Sequence, residues 1–217
     1  MKTSTELKRD VIAELNWDPS LPANSIGVEV KDGVVTLSGH VNSFIEKWNA
    51  ERAVRRVIGV DALAIEIEVN LPGSSKRDDA DIARTATNVL AWASYIPPDS
   101  IKVMVEGGWI TLTGNVEWEY QRNSAADAVR RLMGVTGVSN DINLEPSIAA
   151  QVVQSDIEVA LKRQAKTESA NITVHVDGST VTLAGNTHSW VERDLANQAA
   201  WNAPGVKHVK DKIRISM

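Results

Sequence analysis

One stretch of this chain occurs three times, and that repetition constrains the fold more than any other feature. The segment Val34-Val35-Thr36-Leu37-Ser38-Gly39 returns as Trp109-Ile110-Thr111-Leu112-Thr113-Gly114 and again as Thr180-Val181-Thr182-Leu183-Ala184-Gly185. Each closing glycine stands the same distance from a Gly-Val pair: Gly59-Val60, Gly134-Val135 and Gly205-Val206. Ile26, Ile101 and Ile172 hold the same register upstream, with spacings of 75 and 71 residues. A chain of 217 residues could form one large domain or two ordinary ones. The repeat predicts three small ones instead.

Within each copy the apolar positions alternate, as on a strand buried on one face. Ile26, Val28 and Val30 lead into Asp32-Gly33, a dipeptide suited to a two-residue primed turn, which places Val30 opposite Val35 and Val28 opposite Leu37. Gly107-Gly108 and Gly178-Ser179 repeat the arrangement, pairing Val105 with Ile110 and Val176 with Val181. After the glycine the period becomes helical, through Ala50, Ala53, Val54 and Val57, then Ala125, Ala128, Val129 and Leu132, then Ala196, Ala199, Ala200 and Ala203. The Gly-Val pair ends that helix. A third strand follows, carried by Leu63, Ile65, Ile67 and Val69, by Ile142 and Leu144, and by Val209, Ile213 and Ile215. Ahead of each hairpin lies a first helix, read from Leu7, Val11 and Leu15, from Ile82, Ala86 and Leu90, and from Val153, Ile157 and Leu161, with Thr3 and Glu6 placed as a capping box.

The predicted class is therefore α+β: three tandem αββαβ modules, each a three-stranded mixed sheet packed against two helices. Their limits fall at 1–72, 73–146 and 147–217. The joints are Leu71 to Ala80, rich in Pro, Gly, Ser and charge, and the shorter Glu145 to Ala150. At about 70 residues each, such modules are marginal alone and gain from packing on one another.

The formal charge of −5 leaves no overall basic field for a nucleic acid backbone. With no cysteine, disulfides, thiolate nucleophiles and Cys-based metal sites are excluded. No stretch approaches the roughly 20 apolar residues that span a bilayer. The start, Met1-Lys2-Thr3-Ser4, lacks the apolar run of a secretory signal, so the expected compartment is the cytoplasm, or the periplasm if a leader has been removed.

The Val-x-Leu-x-Gly strand end, the Ala-rich second helix and the Gly-Val pair before a last strand, in that order three times over, resemble the BON domain. This small module is named for bacterial osmotically inducible and nodulation proteins. The resemblance implies a mixed three-stranded sheet with two helices and no catalytic activity. It also implies the roles described for relatives, which include envelope maintenance, osmotic stress and phospholipid binding.

No nucleophile beside a base, carboxylate pair or phosphate-cradling loop is signalled, so no enzyme and no cofactor is expected. His40, His175, His188 and His208 show no His-x-x-x-His spacing, and Glu66, Glu68 and Asp141 fit no calcium loop, so no metal site is expected. The tryptophans stand out, seven against one Phe and two Tyr. Trp17 and Trp92 share one repeat position at the end of the first helix, where Arg163 stands in the third copy, and are expected to lid their cores. Phe44, Trp48, Trp118 and Trp190 gather about the start of the second helix, off the Ala stripe, and form the candidate interaction surface, between modules or with a partner. Trp109 should project from the outer face of its hairpin opposite Glu106. Arg55-Arg56 and Arg130-Arg131 are expected to complement their helix dipoles. The expected function is non-enzymatic binding or scaffolding in a stress response, with phospholipid, an envelope component or another protein as partner and self-association as a further option. The alternative is a cytoplasmic osmotic-stress sensor that binds a small ligand or an ion.

Overall fold

The computed structural model describes residues 2–145, 154–164 and 172–215, with side chains 154 and 161–164 excepted. The second joint from residue 146 on, together with Val153 and the Leu161 and Arg163 side chains, lies outside these. The first module runs α1 (Ser4–Trp17), β1 (Ile26–Lys31), β2 (Val34–Val41), α2 (Phe44–Arg55) and β3 (Ala62–Val69). The second repeats it as α3 (Asp79–Trp92), β4 (Ile101–Glu106), β5 (Trp109–Val116), α4 (Glu119–Val129) and β6 (Gly137–Leu144). The third is α5 (Gln154–Gln164), β7 (Ile172–Asp177), β8 (Thr180–Thr187), α6 (Trp190–Trp201) and β9 (His208–Ile215).

Each module has its own three-stranded sheet, in the orders β1-β2-β3, β4-β5-β6 and β7-β8-β9. The middle strand pairs antiparallel with its hairpin partner and parallel with the strand that follows the second helix. The mixed sheet follows from chain connectivity. A two-residue turn can only return the chain antiparallel, whereas the helix between β2 and β3 carries it back to the starting end. Val30 faces Val35 and Val28 faces Leu37, as the turn chemistry predicts. Asp32 and Gly33 both take positive φ, +49° and +78°, the signature of the primed turn.

Close packing explains the glycine that ends each repeated segment. Gly39, Gly114 and Gly185 have φ of +114°, +134° and +137°, where L side chains are strained. A Cβ on Gly39 would collide with the Ser25 carbonyl, and one on Gly114 with that of Ser100. Any other residue would push the hairpin partner away at its entry point.

The cores are small and aliphatic. Leu7, Val11 and Leu15 of α1 meet Val35, Leu37, Ala50, Ala53, Val54 and Ile67 in the first, with equivalents in the second and third. Ala50 and Ala53 on α2, Ala125 and Ala126 on α4, and Ala196, Ala199 and Ala200 on α6 are buried, so these helices sit close against their sheets; Ala126, and not Ala128, completes the buried stripe of α4. Thr3 closes α1 with the reciprocal bonds of a capping box to Glu6, and Ser43 and Ser189 cap α2 and α6.

Candidate interaction site

The aromatic residues at the start of the second helices are where the modules meet. Trp190, the first residue of α6, packs against the core of the first module, and its indole N–H donates to the Val60 carbonyl at 2.9 Å. Arg55 of α2 lies over the same ring, 5.3 Å from its centroid, and approaches Asp194 at 3.7 Å. Phe44 stands at the matching position of the first module and packs against the core of the second. Beside it, the Trp48 ring is held between two guanidinium groups, Arg52 at 4.7 Å and Arg130 of α4 at 4.1 Å. The second module reaches the third by the same end of its helix, with Arg122 lying 5.3 Å over Trp201.

Three contacts thus close a circle, first module on second, second on third and third on first. In each, the N-terminal half of one second helix meets the C-terminal end of the next at a single repeat position, occupied by Arg55, Arg130 and Trp201. Of the candidate surface residues, Phe44, Trp48 and Trp190 are in these contacts. Trp118 is half-buried at the N-cap of α4. Gln121 accepts from its amide and donates to the Tyr95 carbonyl, tying the helix start to the α3–β4 loop. An aromatic beside an arginine one helix length along the repeat was the signal for these pairings.

Burial leaves its mark on the charges at these contacts. Desolvation pulls the Arg130 guanidinium below its usual pKa, and the nearby Arg131 and Arg52 charges add to that, against the attraction of Asp127. Desolvation likewise pushes the Asp194 carboxyl up, although Arg55 and Arg193 oppose it. Arg56 turns the other way and pairs with Glu14 at 2.6 Å within its own module. Arg55 and Arg130 therefore do more than complement a helix dipole, because each also stacks on an indole of another module.

Trp17 and Trp92 correct the expectation of lids. They are 83% and 91% exposed and cover no core. Each is the last residue of its helix and stands two residues past Leu15 or Leu90, about 200° around the helix from the buried stripe. Trp109 does lie on the outer sheet face opposite Glu106. There it shields Gly137 on the neighbouring strand and donates to the Ser139 hydroxyl at 2.9 Å. A shallow cleft of about 120 Å³ near the end of α3 is lined by Leu90, Ala91, Ile96 and the prolines Pro97 and Pro98, together with Thr87, Asp99 and Ile101. Among the described residues, no three His, Asp or Glu side chains gather as a metal site would, and no helix is long and apolar enough to cross a membrane.

Comparison with known proteins agrees with this modular reading. Osmotically-inducible protein Y of Escherichia coli (strain K12) is 29% identical over 128 residues, which are 57% of this chain and 63% of that protein. The match thus spans less than two thirds of that relative's length. Two solved structures also align. The C-terminal domain of CdsD, the structural protein of the Type III secretion system of Chlamydia trachomatis, is 16% identical, with full coverage of both chains and a TM-score of 0.28. The PrgH periplasmic domain is 14% identical, with 88% of this chain and 95% of that one covered and a TM-score of 0.23. Scores this low establish no common overall arrangement. The BON domain itself matches three times, at residues 3–70, 78–146 and 150–217, and the chain accordingly belongs to the BON domain family.

Proposed function

We propose that this chain is a non-enzymatic, stress-associated binding protein that presents Trp17 and Trp92 to the headgroup region of a phospholipid membrane. The module limits proposed for it are 1–72, 73–146 and 147–217. The observation that carries the reading is the exposure of those two indoles, 83% and 91%, at matching ends of α1 and α3. A tryptophan buries about 150–250 Å² when covered, so at roughly 25 cal/mol per Å² each forgoes about 4 kcal/mol by standing in water. Indoles are well suited to the membrane interface, where an apolar ring and one N–H donor are both accommodated. The osmotic induction in the name of the Escherichia coli relative supports the link with stress. Either leaflet of either compartment would serve, since the indoles recognise an interface and not an address.

Two anchors on one folded body reinforce each other, because the second contact forms at high effective concentration. Trp17→Ser with Trp92→Ser should therefore weaken co-sedimentation with phosphatidylglycerol vesicles by about a hundredfold, roughly a tenfold loss for each 1.4 kcal/mol. The melting temperature should stay unchanged, as neither ring covers a core. Equal binding by the double variant, or no binding by the parent chain, would overturn the proposal.

A further inference from the structure

We infer that copies of this chain associate head to tail, the basic row on β9 of one copy docking against the acidic row on β3 of another. On β9 the residues facing away from the helices are His208, Lys210, Lys212 and Arg214, all exposed. The matching positions of β3 are Ala62, Ala64, Glu66 and Glu68, and those of β6 are Gly137, Ser139, Asp141 and Asn143. All three strands pair in the same parallel register with their middle strands, so the fold accepts Ala, Ser or Lys at one and the same place. The charges are a property of the surface and not a requirement of the module.

The two rows complement each other in sign and spacing. In a protein of net charge −5, three cations are concentrated on one strand, and no ion pair engages Lys210, Lys212 or Arg214 among the described residues. Glu66 and Glu68 are likewise without an ion pair there. Alternate residues on a strand repeat about every 6.7 Å, so two antiparallel rows match along their length. Glu66 then stands opposite Arg214, and Glu68 opposite Lys212. Charges on edge strands also discourage unwanted strand pairing, but like charges on both edges would do that without creating a complementary pair.

The contact runs through side chains and not through an added strand. The Ile67 carbonyl of β3 already accepts from Lys47 at 2.7 Å, and the Ile213 amide of β9 already donates to Asp211 at 2.9 Å. A ladder between copies would have to displace both. Because the two surfaces differ, each bound copy leaves one row free at either end, and association continues into longer chains.

Sedimentation velocity on the full chain tests this. At low ionic strength the average mass should rise with concentration. It should return to that of one chain near 0.5 M salt, where the screening length falls to a few ångströms. Lys212→Glu with Arg214→Glu, and separately Glu66→Lys with Glu68→Lys, should each stay monomeric. An equimolar mixture of the two variants should associate again, since acidic rows then meet basic ones. Trp17→Ser with Trp92→Ser should associate like the parent chain, which separates this contact from the membrane contact. A parent chain monomeric at every concentration, reversed variants that associate as the parent does, or a mixture that stays monomeric would overturn the inference. So would loss of phosphatidylglycerol-vesicle binding by the Lys212→Glu, Arg214→Glu variant with no change in mass behaviour, which would give the row to an anionic surface.

Discussion

The contact of the first module on the second and that of the second on the third join the same ends of the same helices with opposite chemistry. In the former, the incoming helix brings Trp48 and the receiving helix brings Arg130. In the latter, the incoming helix brings Arg122 and the receiving one Trp201. The apolar anchor Phe44 has Glu119 as its counterpart, paired with Arg122 at 2.8 Å. The geometry thus asks for one flat ring and one guanidinium at each joint without specifying which side supplies which. Stacking of a guanidinium on an indole is symmetric in that respect, provided both are partly withdrawn from water. Unlike polarity also keeps each helix start matched to its own neighbour, because a Trp48-type end meeting Trp201 would keep only the Arg52 of its own helix and lose the cation supplied across the joint.

The third joint combines both elements and should be the strongest, so its removal sharpens the comparison most. Trp190→Ala deletes a ring packed on the core of the first module, the bond to the Val60 carbonyl and the stack with Arg55. The expected loss is about 3 kcal/mol in chemical denaturation, toward the low end for truncating a large aromatic because the ring is only half-buried. X-ray scattering should show a larger radius of gyration, since the circle is opened where no linker joins the modules. The equivalent change Phe44→Ala should cost less and leave the radius nearly unchanged, because the residues of the first joint still tether its modules.

A reciprocal exchange tests the idea that polarity is free but pairing is not. Arg122→Trp places ring against ring, and Trp201→Arg places cation against cation, each expected to cost about 1 kcal/mol. The double variant restores one ring and one guanidinium with the polarity of the first joint, the ring standing one residue earlier than Trp48 does. It should recover about half of the summed loss, a coupling of roughly 1 kcal/mol in a double-mutant cycle. Additive losses would show that the stack contributes no coupling across this joint and that Arg122 acts through its pair with Glu119 within α4.

Much of this architecture is legible in the sequence because local rules and burial act together. The pairs Val30–Val35, Val105–Ile110 and Val176–Val181 follow from turn chemistry and alternation alone. The parallel third strand follows from a helix long enough to return the chain. The site is less legible, since its contacts join residues far apart in sequence and depend on which end of a helix faces which module. Trp17 and Trp92 show the limit in one side chain: size and apolarity suggest burial, but a position two residues past the last core residue turns each to the opposite face of its helix, where nothing covers it. Arg55 shows another, because its place near a helix end already accounts for a cation, and nothing local announces a ring from a module 135 residues away.

The smallest expected effect tells the third joint from the first by its acid response. At the repeat position of Trp48 the third module carries Asp194, whose carboxyl is pushed up chiefly by desolvation and held back by Arg55 and Arg193. A carboxyl with a raised folded pKa binds its proton more readily in the native chain than in the unfolded one. Its ionisation therefore weakens the fold as pH rises through the folded value, and below the ordinary carboxylate range that penalty is absent. Half-exposure of the side chain keeps the effect small. Asp194→Asn should accordingly melt slightly higher than the parent chain at neutral pH, with the difference closing as pH falls below the usual carboxylate pKa. The same measurement on Asn123→Asp, at the matching place in the second joint, sets the reference for a carboxylate without Arg55 opposite. If Asp194→Asn melted lower at neutral pH, the attraction of Arg55 would outweigh burial, and the third joint would be an ion pair that happens to carry a tryptophan.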